Sequence, residues 1–191
     1  TLLVELDGRI RSMALVHESL YQSKDLAHIH LQAYLETLIA EMRASWEPRI
    51  GAGRGASGVH FSVEAAGVEM GLDIAVPCGL ILNELITNAF KYAFPGGQPR
   101  PGEKACEITV SATWDSAAEY SGGAEYSGAY TLTVADNGVG LPADLDLVAA
   151  PKTLGLRLVR LLVQHQLGGH MEIDRARGTR FTLKFTPRNR R

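Results

Sequence analysis

Most of the features that would classify this 191-residue chain at a glance are scarce or missing. Cysteine occurs twice only, as Cys78 and Cys106, with no metal-ligand spacing around either. That excludes a disulfide framework and a cysteine-built zinc site, and it predicts a reduced, cytoplasmic setting. No uninterrupted apolar run reaches the length of a membrane span. Charge of one sign is not in excess either, and a formal net charge of −2 makes no case for nucleic acid or an anionic membrane. The late cluster "DRARGTR" and the closing "PRNRR" read as a basic tail. The P-loop pattern is absent. Six histidines, among them His28, His30, His165 and His170, offer no third ligand at a telling spacing, so they read as surface or core residues. The chain starts at Thr1 inside a helical pattern, which predicts a fragment of a parent that is either soluble or membrane-anchored.

What is present is enough apolar residue, 46%, to bury a real core, in a length that suits one full domain plus an appendage. Leu3, Leu6, Ile10, Met13, His17 and Leu20 alternate steps of three and four, a heptad stripe for a helix lying along a partner helix. After "QSKD", a second amphipathic helix is predicted from Ile29 to Trp46, with Leu31, Tyr34, Leu35, Leu38, Ile39 and Met42 inward. "PRIGAGRGASG" is a glycine-rich loop, "VHFSVE" a strand, and "GLDIAV" its expected partner. Pro77 then fits the first turn of a helix that Pro95, Gly96 and Gly97 stop. "CEITVSATW" and "YTLTVAD" read as strands around a low-complexity hairpin loop in which Glu-Tyr-Ser-Gly occurs twice. A helix over Leu154–Gln166 and two strands, "HMEID" and "TRFTLKF", complete an α+β sandwich: one mixed sheet with helices on one face.

The chemistry concentrates in four places. In "LILNELITNAFKYAF", Leu82, Leu85, Ile86, Ala89 and Ala93 share one side of a helix, and Glu84, Asn88 and Lys91 gather opposite. That polar side is either an ordinary solvated face or a set suited to a metal-phosphate ligand. Asparagine and threonine are mediocre helix formers, which counts against simple solvation, but the helix alone leaves both readings open. "VADNGVGLP" leaves a strand at Asp136, an acceptor suited to an amino proton on a base edge. Gly138 and Gly140 permit positive φ and close backbone approach to a flat ligand. "TLGLRLVRLL" places Gly155 in a first helical turn, where free N–H groups and the helix dipole suit phosphate. "RGTRFTLKF" puts Gly178 and Thr179 before an expected edge strand.

Each element is common alone, and their order is specific. Glu-x-x-x-Asn-x-x-Lys-Tyr, then Asp-x-Gly-x-Gly, Gly-Leu-x-Leu and Gly-Thr resembles the GHKL (Bergerat) ATP-binding fold, shared by gyrase-type, Hsp90-type and MutL-type ATPases and histidine kinases. The resemblance covers Ile29 to Pro187 and implies ATP or ADP with Mg as ligands. It makes Asn88 the magnesium ligand and Glu84 the acid beside the γ-phosphate that orients or deprotonates the acceptor. It brings Lys91 to phosphate, Tyr92 to adenine or ribose, and Asp136 with Thr179 to the adenine amino group. Gly138 and Gly140 would leave room for the purine, the Gly155–Leu156 backbone would meet phosphate, and the nucleotide lid would run from Leu141 to Thr153. Asn83 and Thr87 would brace the helix.

"RIRSMALVHESLYQSKDL" followed by "LQAYLETLI" resembles the second HisKA-type class of histidine kinases. The segment 1–27 is then the end of a helical dimerisation and phosphotransfer region, and 28–191 the catalytic domain. The related HWE class is not supported, because its Trp-x-Glu triplet is missing before the glycine box. An anti-sigma-type serine kinase would share the nucleotide boxes but not the heptad helix, and a nucleotide-dead scaffold would not keep Glu84, Asn88 and Asp136. The resemblance implies phosphoryl transfer to a histidine and relay to a response-regulator receiver domain. It also implies an upstream sensor domain and a homodimer through the N-terminal helices. His17, in "VHES", lies on the apolar stripe and has no acceptor box around it, so the acceptor is expected upstream of Thr1.

Overall fold

The computed structural model describes residue 14 and residues 28–50, 58–119, 127–142 and 154–186. The heptad stripe with His17, the tip of the low-complexity hairpin, most of the expected lid and the closing "PRNRR" lie outside the described residues, whereas "DRARGTR" is no tail but the turn that joins two paired strands. Element order is β1 (Ile29–His30), α1 (Leu31–Ile50), β2 (Val59–Glu64), β3 (Glu69–Met70), α2 (Leu72–Asn88), β4 (Cys106–Glu119), β5 (Ser127–Asp136), α3 (Leu154–Leu161), β6 (His170–Asp174) and β7 (Thr179–Phe185). A π-helical turn extends α2 over Ala89–Ala93, and another extends α3 over Leu162–Gln166.

Five strands form one mixed sheet in the order β2-β4-β5-β7-β6, with β2–β4 parallel and the other pairs antiparallel. Period-2 alternation sorts its faces. Ile108, Val110, Leu132, Val134, Phe181 and Leu183 are buried toward the helices, whereas Glu107, Thr113 and Arg180 are exposed on the other face. All six residues expected on the inner side of α1 are buried, as are the five expected on α2. Burying such aliphatic side chains contributes about 1.5–3 kcal/mol each before the entropy of ordering them. The α+β reading, with one mixed sheet and helices on one face, therefore holds.

Five expectations need correction. "GLDIAV" is not a strand: α2 begins at Leu72, its first turn closed by Ile74 and Ala75 N–H groups on the Gly71 carbonyl at 3.1 and 2.9 Å. Pro77 thus lies inside the helix. The hydrogen bond it forgoes would have gone to the carbonyl of Asp73, an exposed residue, so water can replace it. The partner of β2 is β4, in parallel, because α2 carries the chain back across the sheet. β7 is not an edge strand but lies between β5 and β6. Finally, α2 with its π turn, Leu72–Ala93, is long and apolar enough to cross a membrane by length and composition, yet most of it is buried as the central core helix. A small β1–β3 pair, absent from the sequence reading, closes the far end. α1 also runs four residues beyond Trp46.

Candidate functional site

Three chain segments converge where β5 ends, β7 begins and α2 terminates. Asp136 stands opposite Ile108 of β4 and Thr179 of β7 at the last rung of the sheet. Its Oδ1 accepts the N–H of Gly138 at 3.0 Å and the N–H of Thr179 at 3.2 Å, and the Thr179 hydroxyl also bonds the carboxyl. Burial pushes the acid above the usual carboxylate range, and those three hydrogen bonds pull it partly back. Oδ1 is therefore taken up by the protein itself, and the remaining lone pairs of the carboxyl are what a ligand's donor would meet.

The glycines are explained first by the protein's own backbone. A Cβ on Gly138 would collide with the Ala93 carbonyl, which already accepts the Val139 N–H at 2.9 Å. Gly140 has φ 79°, and its Cβ would sit 3.1 Å from the Gly178 carbonyl. Gly178, with φ 85°, passes so close to the Asp136 carbonyl that no side chain fits. Of the two glycines expected to need positive φ, only Gly140 adopts it. Gly138 is required because loop and helix end touch.

Along α2, Asn83 and Glu84 are buried at 5% and 7% exposure. The polar side of this helix is therefore not solvated at Glu84: α3 packs over it, and a Cβ on Gly155 would run into Glu84 Oε2. A carboxylate against the first turn of α3 lies where the helix dipole favours negative charge. Thr87, Asn88 and Lys91 are half-buried, and Tyr92 is 62% exposed. The π turn begins just after Asn88 and changes the 100° phase, so Lys91 does not simply continue the Glu84–Asn88 line. Leu156 and Thr179 are buried, and Leu141 packs against the core. Immediately after it, the Pro142 carbonyl accepts a hydrogen bond from Arg175 Nη1 at 3.1 Å, fixing where the chain leaves the site.

The structure thus joins Asp136, Gly138, Gly140 and Thr179 in one cluster and Glu84 with Gly155 in another, linked by the nine residue steps from Glu84 to Ala93. At 1.5 Å per residue that helix segment is roughly 13 Å long. The sequence reading passed over Asn137, whose side chain bonds Glu107 N–H at 2.8 Å and the Ala105 carbonyl at 2.9 Å. An asparagine directly after a strand, before glycine, is the signal that could have found it. A recess of about 330 Å3 also touches Asp136, but its other walls include Glu107, Thr109 and Arg180, on the strand positions that alternate away from the helices. It opens on the far side of the sheet from Glu84 and Gly155, so we keep it apart from this site. Among the described residues no cluster of three or more histidine, cysteine or acidic side chains could hold a metal alone.

The family model described as histidine kinase-, DNA gyrase B- and HSP90-like ATPase matches residues 73–189, and a model described as histidine kinase matches residues 1–46. The sensor histidine kinase PdtaS of Mycobacterium tuberculosis is 31% identical over 189 residues, 95% of this chain. The chain spans about a third of that relative's length, 32%. Among solved structures, the histidine kinase domain of the Erythrobacter litoralis EL346 blue-light activated histidine kinase is similar with a TM-score of 0.68 at 25% identity. That match covers 95% of this chain and 74% of the other. The Acinetobacter baumannii histidine kinase AdeS shares the fold at 18% identity, with a TM-score of 0.54 over 98% of this chain and 80% of that one. With residues 73–189 inside the family model and the geometry above around Asp136 and Glu84, the chain belongs to the histidine kinase-, DNA gyrase B- and HSP90-like ATPases, with its two family matches in the order of a histidine kinase of the second HisKA-type class.

Proposed function

We propose that residues 28–191 are the ATP-binding catalytic domain of this kinase, and that residues 1–27 end its dimerisation and phosphotransfer region. The observation that carries the reading is the partly buried Asp136 carboxyl, with Oδ1 occupied by two main-chain N–H groups at 3.0 and 3.2 Å. An acid so held cannot swing, and it presents its remaining acceptor capacity to an amino group such as that of adenine. From there the nucleotide would run along the roughly 13 Å of α2 toward Glu84 and the first turn of α3, a span that fits an extended nucleoside triphosphate. Main-chain N–H groups at Gly155 and Leu156 would face phosphate, and Lys91 would add a point charge. Tyr92, exposed at the end of α2, would close over the base or ribose.

Asn88 fits a magnesium ion because beside nucleotides this metal takes few protein oxygens and keeps phosphate and water for the rest of its shell, and an amide oxygen is one such hard donor. When bound, the ion would neutralise charge developing on the transferred phosphoryl group. Glu84 would orient or deprotonate the attacking imidazole of a histidine upstream of Thr1, for relay to a receiver-domain aspartate. His17 would be a helix-packing residue. A homodimer through the N-terminal helices and a cytoplasmic location for the domain complete the reading.

Titration calorimetry with ADP and magnesium tests it. Asp136→Asn, which mismatches a buried acceptor, should weaken binding by about 1–3 kcal/mol, and omitting magnesium should weaken the wild type. Unchanged affinity in the variant would remove Asp136 from the site.

A further inference from the structure

We infer that Asn137 is a positioning residue for Asp136: its carboxamide replaces one rung of the β4–β5 ladder, so the main chain can leave the sheet without loosening the acid. The inference rests on the nucleotide reading above, and its test is arranged so that the two can fail separately.

The last regular pair of these strands is Ile108 with Asp136, so Glu107 and Asn137 would form the next. Half of that rung is ordinary, since the Asn137 N–H donates to the Glu107 carbonyl at 3.2 Å. The other half is not. The Glu107 N–H donates at 2.8 Å to the side-chain Oδ1 of Asn137, where a regular ladder would use the main-chain carbonyl. The Nδ2 of the same group donates at 2.9 Å to the carbonyl of Ala105, the residue just before β4 begins. One side chain therefore acts as acceptor and donor at once, which a carboxamide can do and a carboxylate or methyl group cannot.

The consequence falls on the neighbours. Freed from the ladder, the chain turns at Gly138, whose N–H comes back to Asp136 Oδ1, and Val139 reaches the Ala93 carbonyl of α2 at 2.9 Å. Asp136 is thus held from both sides, by Thr179 of β7 and by a turn that Asn137 fastens to β4. Without the carboxamide, the Glu107 N–H and Ala105 carbonyl lose their partners, and Gly138 loses its anchor. Asn137 need not touch the base for this to alter how the base is read.

The experiment compares binding of ADP and inosine diphosphate, which has a carbonyl oxygen where adenine has its amino group, to the wild type and to Asn137→Ala. Wild type should prefer ADP by on the order of tenfold or more, as a fixed acceptor facing an oxygen requires. Asn137→Ala should bring that ratio down several-fold, chiefly through weaker ADP binding. Val63→Ala, a truncation on the edge strand β2 with β4 between it and β5, serves as a control for general loosening and should keep the wild-type ratio. If Asn137→Ala does not fold, Asn137→Ser, whose one shorter-reaching hydroxyl cannot reproduce the two terminal atoms of the carboxamide, is read on the same ratio. An asparagine variant with the wild-type ratio would overturn the inference. A wild type with no preference would instead overturn the reading of Asp136 beneath it.

Discussion

The two ends of β5 are built from different materials. At Asp136 the strand ends among side-chain-to-main-chain hydrogen bonds, from Gly138 and Thr179 to the acid and from Asn137 to the start of β4, joined by a main-chain bond from Val139 to Ala93. At the other end Trp114, Tyr130 and Phe185 form an aromatic stack, with ring centroids 4.4 and 5.4 Å apart, and the Tyr130 hydroxyl caps it on the Glu69 carbonyl at 2.7 Å. Both ends also depend on a glycine with positive φ, Gly178 and Gly128 respectively. Aromatic stacking and area burial tolerate small shifts, whereas a hydrogen-bonded turn around a partly buried charge does not. The contrast teaches that this sheet concentrates directional bonding at the end proposed to read a ligand and leaves the other end to packing.

The largest effect should come from breaking the two glycines in parallel. Gly178→Ala forces a Cβ into the Asp136 carbonyl at an unfavourable φ, with no flexible group able to yield, and should cost about 3–4 kcal/mol together with nucleotide binding. Gly128→Ala has the Trp114 ring as its nearest contact, a side chain that is 39% exposed and can swing outward, so about 1–2 kcal/mol is expected with ADP affinity intact. Urea unfolding and calorimetry on both variants check this. Equal costs, or lost binding in the Gly128 variant, would erase the contrast.

A smaller effect is expected from pH. Burial raises the Asp136 acid above its unfolded value, so the folded state holds the proton more tightly. The contribution of this group to stability is therefore fully present below the unfolded pKa and is lost as pH rises through the raised folded pKa. Asp136→Asn removes that dependence. The stability of wild type minus that of the variant should fall as pH rises from about 3 to about 7, across the carboxylate range. A difference that rises with pH would mean that the hydrogen bonds from Gly138 and Thr179 outweigh burial. The smallest change should follow Tyr130→Phe at the opposite end. Loss of one hydrogen bond to Glu69 should cost about 0.5–1.5 kcal/mol and leave ADP affinity unchanged by calorimetry.

Periodicity made the helices and the strands of the five-stranded sheet legible because their inner faces repeat over many residues. It did not reveal that α2 starts at Leu72: Ile74 and Val76 are β-branched and alternate with smaller residues, and only tertiary packing makes that segment helical. The parallel β2–β4 pairing was hidden for a related reason, since sequence neighbours suggest hairpins and crossovers leave no local mark. At the site, residue types and order were enough to single out Asp136, Glu84 and the glycines. What the glycines accommodate was not legible, because the Ala93 and Asp136 carbonyls that fill their missing side chains come from distant segments. Asn137 escaped notice since its partners, Ala105 and Glu107, are some thirty residues away in sequence.

Amide hydrogen exchange of the chain with and without ADP and magnesium tests the account most directly, because it reads both ends of β5 in one experiment. The account predicts slower exchange on ligand binding in residues 84–93, 136–141, 154–158 and 178–180, and no change in residues 112–115 and 128–132. Protection confined to the Trp114–Tyr130 end, or equal protection throughout, would contradict it.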